Sequence, residues 1–183
     1  MGYETALSKG WGELQKAGFS QDNTIRFLAQ EYALNFDSRR VMSLSSNAPA
    51  NDIAAILILH YLAAASRGMP PLKRHWVSFK ELAGIEGYSA AFHKRAIEPI
   101  LRKYGDSPES LWGALERLPG QRSSEADAGI ILEVFKGVPA MILLWGSDEE
   151  FTPAAAMLFD AGIKDVFCTE DIAVLAGVIA SAL

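Results

Sequence analysis

The strongest restriction on the fold is a pair of apolar runs, Gly129 to Phe135 and Val138 to Trp145, with only Lys136 and Gly137 between them. Their Ile, Val, Phe and Trp residues suit a pleated, half-buried backbone. Two linking residues that include glycine are a hairpin signal. Neither run alternates apolar with polar, so both are expected to be central strands covered on both faces. After Trp145 the chain changes character. Gly146 and Ser147 lead into Asp148, Glu149 and Glu150, then Phe151 and Thr152-Pro153. A Thr-Pro pair suits a helix start, which predicts a short helix through Leu158 and Phe159, ended by Gly162.

The rest of the chain supplies helices and a second hairpin. Glu4 to Ala17 reads as a helix weakened by Gly10 and Gly12, and Gln21 to Gln30 as a second short one. Tyr32, Leu34 and Phe36 alternate with Ala33 and Asn35, and Val41 to Leu44 can return beyond Asp37-Ser38, giving a hairpin over 31–45. Asn51 or Asp52 caps a helix that runs to Ser66 and is apolar nearly all round, so it is expected to be buried. Trp76 to Phe79 reads as extended. Tyr88 to Tyr104 is helical, with a kink expected near Glu98 because Pro99 removes a donor and crowds the carbonyl of Arg95. Ser107-Pro108 starts another helix, Pro119-Gly120 closes it, and Gln121 to Ala128 reads as a polar surface loop. Val166-Phe167 reads as extended, and Thr169 begins a last helix reaching Leu183. Strands in pairs, without βαβ alternation, indicate an α+β fold with an antiparallel sheet built from the hairpins 31–45 and 129–145. Residues 1–20 read as a helical extension and 21–183 as one domain.

Composition narrows the function classes. The 183 residues include 17 basic and 22 acidic side chains, a net charge of −5, with no basic excess of the kind that marks a nucleic-acid binder. The longest apolar run, broken at His60, is shorter than a membrane span. Cys168 is the one cysteine, which excludes a disulfide framework and a self-contained iron–sulfur cluster. It suits a reducing, cytoplasmic setting.

Four stretches resemble a family known as DUF3786, a domain of unknown function. They are Leu57-Ile58-Leu59-His60-Tyr61-Leu62; Val77 to Leu82 leading to Tyr88 and Phe92; Leu132-Glu133-Val134-Phe135 to Pro139; and Leu144-Trp145 through Asp148-Glu149-Glu150-Phe151 to Leu158-Phe159-Asp160. Thr169-Glu170-Asp171 fits as well, and the resemblance covers roughly Thr24 to the C-terminus. It implies a setting in anaerobic prokaryotes, where some relatives carry an added four-cysteine iron–sulfur module. One cysteine departs from those members, so this chain would meet such a cluster only on a partner. The resemblance implies no reaction and no catalytic residue.

Each candidate site has two readings. Asp148, Glu149 and Glu150, with Asp160 approaching from the next helix, can form an oxygen-ligand metal site or an acid–base pair, or a solvated loop at a helix start. His93, with Tyr88, Arg95 and Glu98 nearby, can ligate a haem or corrinoid, or be an exposed helix histidine. Trp145, Phe151, Tyr88 and Trp76 can line a pocket for a flat ligand, or be the edge of the core. His60 reads as a core histidine bonded to backbone or a tyrosine, and His75 as surface. A helix N-terminus can lower the Cys168 pKa, but Glu170 and Asp171 oppose that. No phosphate loop, nucleophile elbow or zinc-protease motif is present.

Two functions follow as expectations. The first is a cytoplasmic ligand-binding or accessory protein for a metal, corrinoid or tetrapyrrole, near Trp145–Phe151 and the Tyr88–Glu98 helix. The second is a protein-interaction module, a homodimer or the docking partner of an iron–sulfur protein, with Trp11, Trp76 and the acidic loop at its interfaces. A hydrolase has the least behind it, since no nucleophile–base pair is visible.

Overall fold

In a computed structural model of the chain, residues 2–19 and 24–183 are described. The most buried helix, α2 (Asp52–Ser66), starts where the Asn51 side chain accepts from the Ala54 N–H at 2.9 Å. That bond satisfies one of the donors a helix start leaves free. Helix α1 (Tyr3–Lys16) crosses α2 at Gly10. A Cβ there would stand 3.0 Å from Leu59 Cβ, so a side chain would force the helices apart. Trp11, expected at an exposed interface, is 3% exposed and meets Phe36 edge-on at 5.2 Å.

The small sheet is an antiparallel meander of β1 (Thr24–Phe27), β2 (Gln30–Asn35), β3 (Arg40–Ser43) and β4 (Ala48–Pro49). The hairpin expected over 31–45 is its centre, with Leu34 opposite Val41 and Tyr32 opposite Ser43. The helix expected over 21–30 is not there. Gln21 to Asn23 lie outside the described residues, and Thr24 to Phe27 pair with Gln30 to Ala33 through a tight turn at Leu28. Ile25, Phe27 and Leu28 fit either period, and strand pairing decides.

The large sheet runs in the order β5-β9-β8-β7-β6 and is antiparallel throughout. Its strands are β5 (Trp76–Ser78), β6 (Gly120–Ser123), β7 (Ala128–Phe135), β8 (Val138–Trp145) and β9 (Ala154–Asp160). The central hairpin is β7–β8, as expected. Two elements differ from expectation. Gly120 to Ser123 is a strand, not part of a loop; as an edge strand facing solvent it can be polar and so gives no apolar signal. Ala154 to Asp160 is a strand, not a helix: its alanines favour a helix locally, and pairing with β8 overrides that preference. The fold is α+β, with nine strands in two sheets among the described residues.

The helices lie on one face of the large sheet. Ser89–Phe92 (α3), a π turn at His93–Ile97 and Glu98–Tyr104 (α4) form one continuous helix, and the wide turn takes up the Pro99 ring where a kink was expected. Pro108–Glu116 is a 3₁₀ rather than an α-helix. The extended piece expected at Val166-Phe167 is not found: after the 3₁₀ turn Ala161–Asp165, Val166 keeps a right-handed helical conformation (φ −104°, ψ −44°), and α5 (Thr169–Ala182) ends the fold. No helix among the described residues is long and apolar enough to cross a membrane.

The two sheets join at a bulge. Glu133 faces Pro139 and Phe135 faces Val138, so Val134 is the extra residue. Its carbonyl accepts from the Leu28 N–H of the small sheet at 2.8 Å. The bulge also lets consecutive residues, Val134 and Phe135, both enter the core. The Phe135 ring is stacked between Phe27 at 4.4 Å and Tyr61 at 4.5 Å, and Phe167 lies 6.0 Å away. One side chain thus ties β1, α2, β7 and the segment before α5. Phe135→Ala is expected to lower unfolding stability by about 3–5 kcal/mol, read from urea denaturation. A loss below about 1 kcal/mol would show that the joint does not depend on this ring.

Candidate functional site

Asp160 is a buried carboxylate at the end of β9, 5% exposed. Backbone N–H groups of Lys73 (3.0 Å), Arg74 (2.7 Å) and Gly162 (2.9 Å) donate to it. Burial alone would raise its pKa, but these donors and the N–H of His75 outweigh that and hold it below the usual carboxylate value. Arg74 sits at a φ of 55°, which the carboxylate helps to hold. Asp160 therefore fastens the loop before β5 to the sheet. It does not approach the acidic loop, because a strand and not a helix leads to it, and β9 places it about 20 Å from Ala154.

The acidic loop sits at the other end of the sheet. Asp148 Oδ1 accepts from the N–H groups of Glu150 (2.8 Å) and Phe151 (2.7 Å), closing a turn on itself. Glu149 and Glu150 are exposed, as is Phe151 at 67%. Among the described residues, no group of three or more His, Cys, Asp or Glu gathers as a metal site requires.

The ligand candidates on the helix are spread along it. His93 is exposed and lies 3.2 Å from Glu98 Oε1, a contact five residues on that the π turn creates. Arg95 packs its Cβ near Gly177 of α5. Tyr88 donates to Glu170 at 3.4 Å at the N-terminus of α5, and that carboxylate raises the phenol's pKa. Trp145 and Phe151 lie near the other end of this helix, where Pro153 meets Gly105 and Gly146 meets Pro108. From Ser89 to Tyr104 the helix is about 24 Å long. Tyr88 and Trp145 thus do not share a cleft.

Sequence reasoning missed a pairing between α2 and α5. His60 Nδ1 lies 2.9 Å from Asp171 Oδ2, and both side chains are largely buried. The hydrogen bond to Asp171 raises the His60 pKa; loss of hydration opposes it, and Glu13 and Lys9 of α1 act with opposite signs. Loss of hydration also pushes the Cys168 thiol up, and the adjacent Asp171 carboxylate adds to this.

The second feature missed is the outer face of the large sheet. One face of β7, β8 and β9 gives Ile130, Leu132, Val134, Ala140, Ile142, Leu144, Met157 and Phe159 to the core. By strand alternation and register the other face carries Ile131, Pro139, Met141, Leu143, Ala156 and Leu158. None of these six belongs to the core cluster or packs against it. Coverage of both faces, expected from the sequence, holds for the middle of β8, where Met141 and Leu143 are buried, and only in part for β7 and β9. Met141 and Leu143 are 1% and 5% exposed, and Ile131, Pro139, Ala156 and Leu158 remain half-buried. Trp145, 39% exposed, ends the same face. At the opposite end, Leu72, Ile131, Glu133, Gly137 and Pro139 border a groove of about 310 Å³. The pattern was present in the strands, but only the topology shows that no helix is left to cover it.

A family model described as Domain of unknown function (DUF3786) matches residues 13–182. No curated protein and no solved structure matches the chain.

Two predictions follow. Asp160→Asn replaces an acceptor carboxylate with a group that can donate, and is expected to cost about 1.5–3 kcal/mol at neutral pH. Since the folded pKa is depressed, the Asp160 contribution is whole above about pH 4 and is lost as pH falls through the folded value. Urea midpoints of the two proteins that stay equal at neutral pH would contradict this. His60 has the opposite sign. Its folded pKa is raised, so its pairing with Asp171 contributes fully below about pH 6.5 and is lost as pH rises through the folded value. His60→Gln is expected to cost about 1 kcal/mol at about pH 5.5 and less at about pH 9. A difference that is flat with pH would dismiss the pairing.

Proposed function

The chain belongs to the DUF3786 family, and from its surface we propose that it is a protein-interaction module on which another polypeptide covers the outer face of the large sheet. The observation behind this reading is the partly exposed apolar rim of the outer face, Ile131, Pro139, Ala156, Leu158 and the 39% exposed Trp145, around the buried Met141 and Leu143. Single exposed apolar residues are ordinary on a protein surface, whereas contiguous patches mark interaction sites. Two sheet faces pack about 10 Å apart, so a flat apolar surface on a partner fits this one. A cytoplasmic setting goes with the reading, since a single free cysteine suits a reducing compartment.

The alternative, a metal, corrinoid or tetrapyrrole carrier, draws less support. It needs Tyr88, His93, Arg95, Trp145 and Phe151 around one cleft, and the helix separates the first from the last two by about 24 Å. Its carboxylates divide in the same way, with Asp160 at one end of β9 and Asp148 to Glu150 beyond the other.

The test is a photo-crosslinking residue placed at Ala156 on the outer face, or at Glu4 on α1 as a control, in cells that make the protein. The expected result is a protein adduct from position 156 that is absent from position 4. Adducts of equal yield from both positions, or none from either, would overturn the reading.

A further inference from the structure

We infer that the polypeptide covering the outer face is a second copy of this chain, stacked sheet on sheet with the two-fold axis in the interface plane and perpendicular to β8. The inference rests on the reading of the outer face as an interaction surface and adds the identity and orientation of the partner.

Three features of the face are self-complementary in this orientation and no other. The first is shape. Trp145 projects at one end of β8, and the groove bordered by Leu72, Gly137 and Pro139 lies at the other. Six residues of strand, about 20 Å, separate Pro139 from Trp145. A two-fold across the middle of β8, near Ile142, sets each Trp145 over the partner copy's groove. Such an arrangement is isologous, each knob and hole being used twice. An aromatic anchor in a pocket is the usual centre of binding energy in an interface.

The second feature is charge. The Trp145 end carries Glu125, Asp127, Asp148, Glu149 and Glu150, all exposed and with no Lys or Arg on those two loops. The groove end carries Lys136, Arg74 and Lys73, of which Lys73 is paired with Asp165 at 2.8 Å. The charged residue on the face itself, Glu133, is paired with Arg26. The two-fold across the strands lays the acidic end on the basic end. A two-fold along the strands would lay acid on acid, which is unfavourable.

The third feature is area. Strands of these lengths, about 4.8 Å apart with about 3.3 Å per residue, give a footprint of about 480 Å² per copy. Two such footprints amount to about 1,000 Å², the lower bound for a specific interface, before the projecting Trp145 and Leu72 are added; Met141 and Leu143, already buried, back the contact rather than make it.

The experiment uses the full chain in light scattering and sedimentation. The expected mass is twice the 19.9 kDa of one chain. Trp145→Ala, at an exposed position that leaves the core intact, is expected to weaken dimerisation at least ~10-fold with an unchanged circular dichroism spectrum. Glu149→Lys with Glu150→Lys, and separately Arg74→Glu with Lys136→Glu, are each expected to weaken it ~10-fold at low salt. Combining all four is expected to restore affinity to within ~3-fold of the starting protein. A single-chain mass up to about 1 mM overturns the second copy as partner. If the Ala156 crosslinker then captures a different protein, the outer face keeps its role; if it captures nothing, that reading falls too. A dimer indifferent to Trp145→Ala and to the charge exchanges uses another surface, and also overturns the inference.

Discussion

The architecture depends on the bulge that carries Val134 and Phe135 into the core together. In a regular strand consecutive side chains face opposite ways, so one of the two would sit on the outer face. The extra residue changes that. It frees the Val134 carbonyl for Leu28 and delivers the Phe135 ring between Phe27 and Tyr61. Tyr61 in turn donates to the Lys136 carbonyl at 2.9 Å, at the turn that follows the bulge. The small sheet, α2 and the central hairpin therefore share one aromatic joint. Such a stack favours offset, closely packed rings over looser arrangements, which fixes orientation as well as burial. The small sheet, with four short strands and a modest core of its own, gains its place in the fold from this contact.

Elements whose local signals agree with their tertiary role were legible in the sequence. The capped, all-apolar helix at 52–66, the hairpins at 31–45 and 129–145 and the last helix all fall in this class. Where local and tertiary signals part, the reading failed. Ala154-Ala155-Ala156 favours a helix, yet the free edge of β8 recruits it as a strand. Gly120 to Ser123 is polar because it is an edge. Thr24 to Phe27 has too few residues for a period to be read, and its pairing with β2 settles it.

The grouping of Asp160 with the acidic loop parts for the same reason. Asp160 was grouped with Asp148 to Glu150 on the premise of an intervening helix, which would have folded the chain back within reach. A strand of the same residues extends it instead. The carboxylate then meets the loop before β5 and is occupied by backbone donors. Tyr88 and Trp145 were grouped through their aromatic character, which carries no positional information. The His60–Asp171 pair spans 111 positions and bears no mark in the sequence beyond a histidine within an apolar helix. His93 and Glu98 meet because a π turn brings residues five apart together, and a helical period of 3.6 does not anticipate that.

All the helices gather on one side of the large sheet, and this follows from how the chain is connected. The meander β6-β7-β8-β9 leaves no crossover that could carry a helix to the other side, and β5 joins at the edge after α2. An antiparallel sheet with one open face ordinarily alternates, with polar residues outward. Here β8 does not alternate: Met141, Leu143 and Trp145 face outward beside inward Ile142 and Leu144. Met141 and Leu143 are already buried within this chain, so a polar residue there would cost stability. Trp145 differs: it is 39% exposed, and its apolar surface is not a requirement of this chain's own fold. It is accounted for when a second layer lies on that face, supplied by another chain.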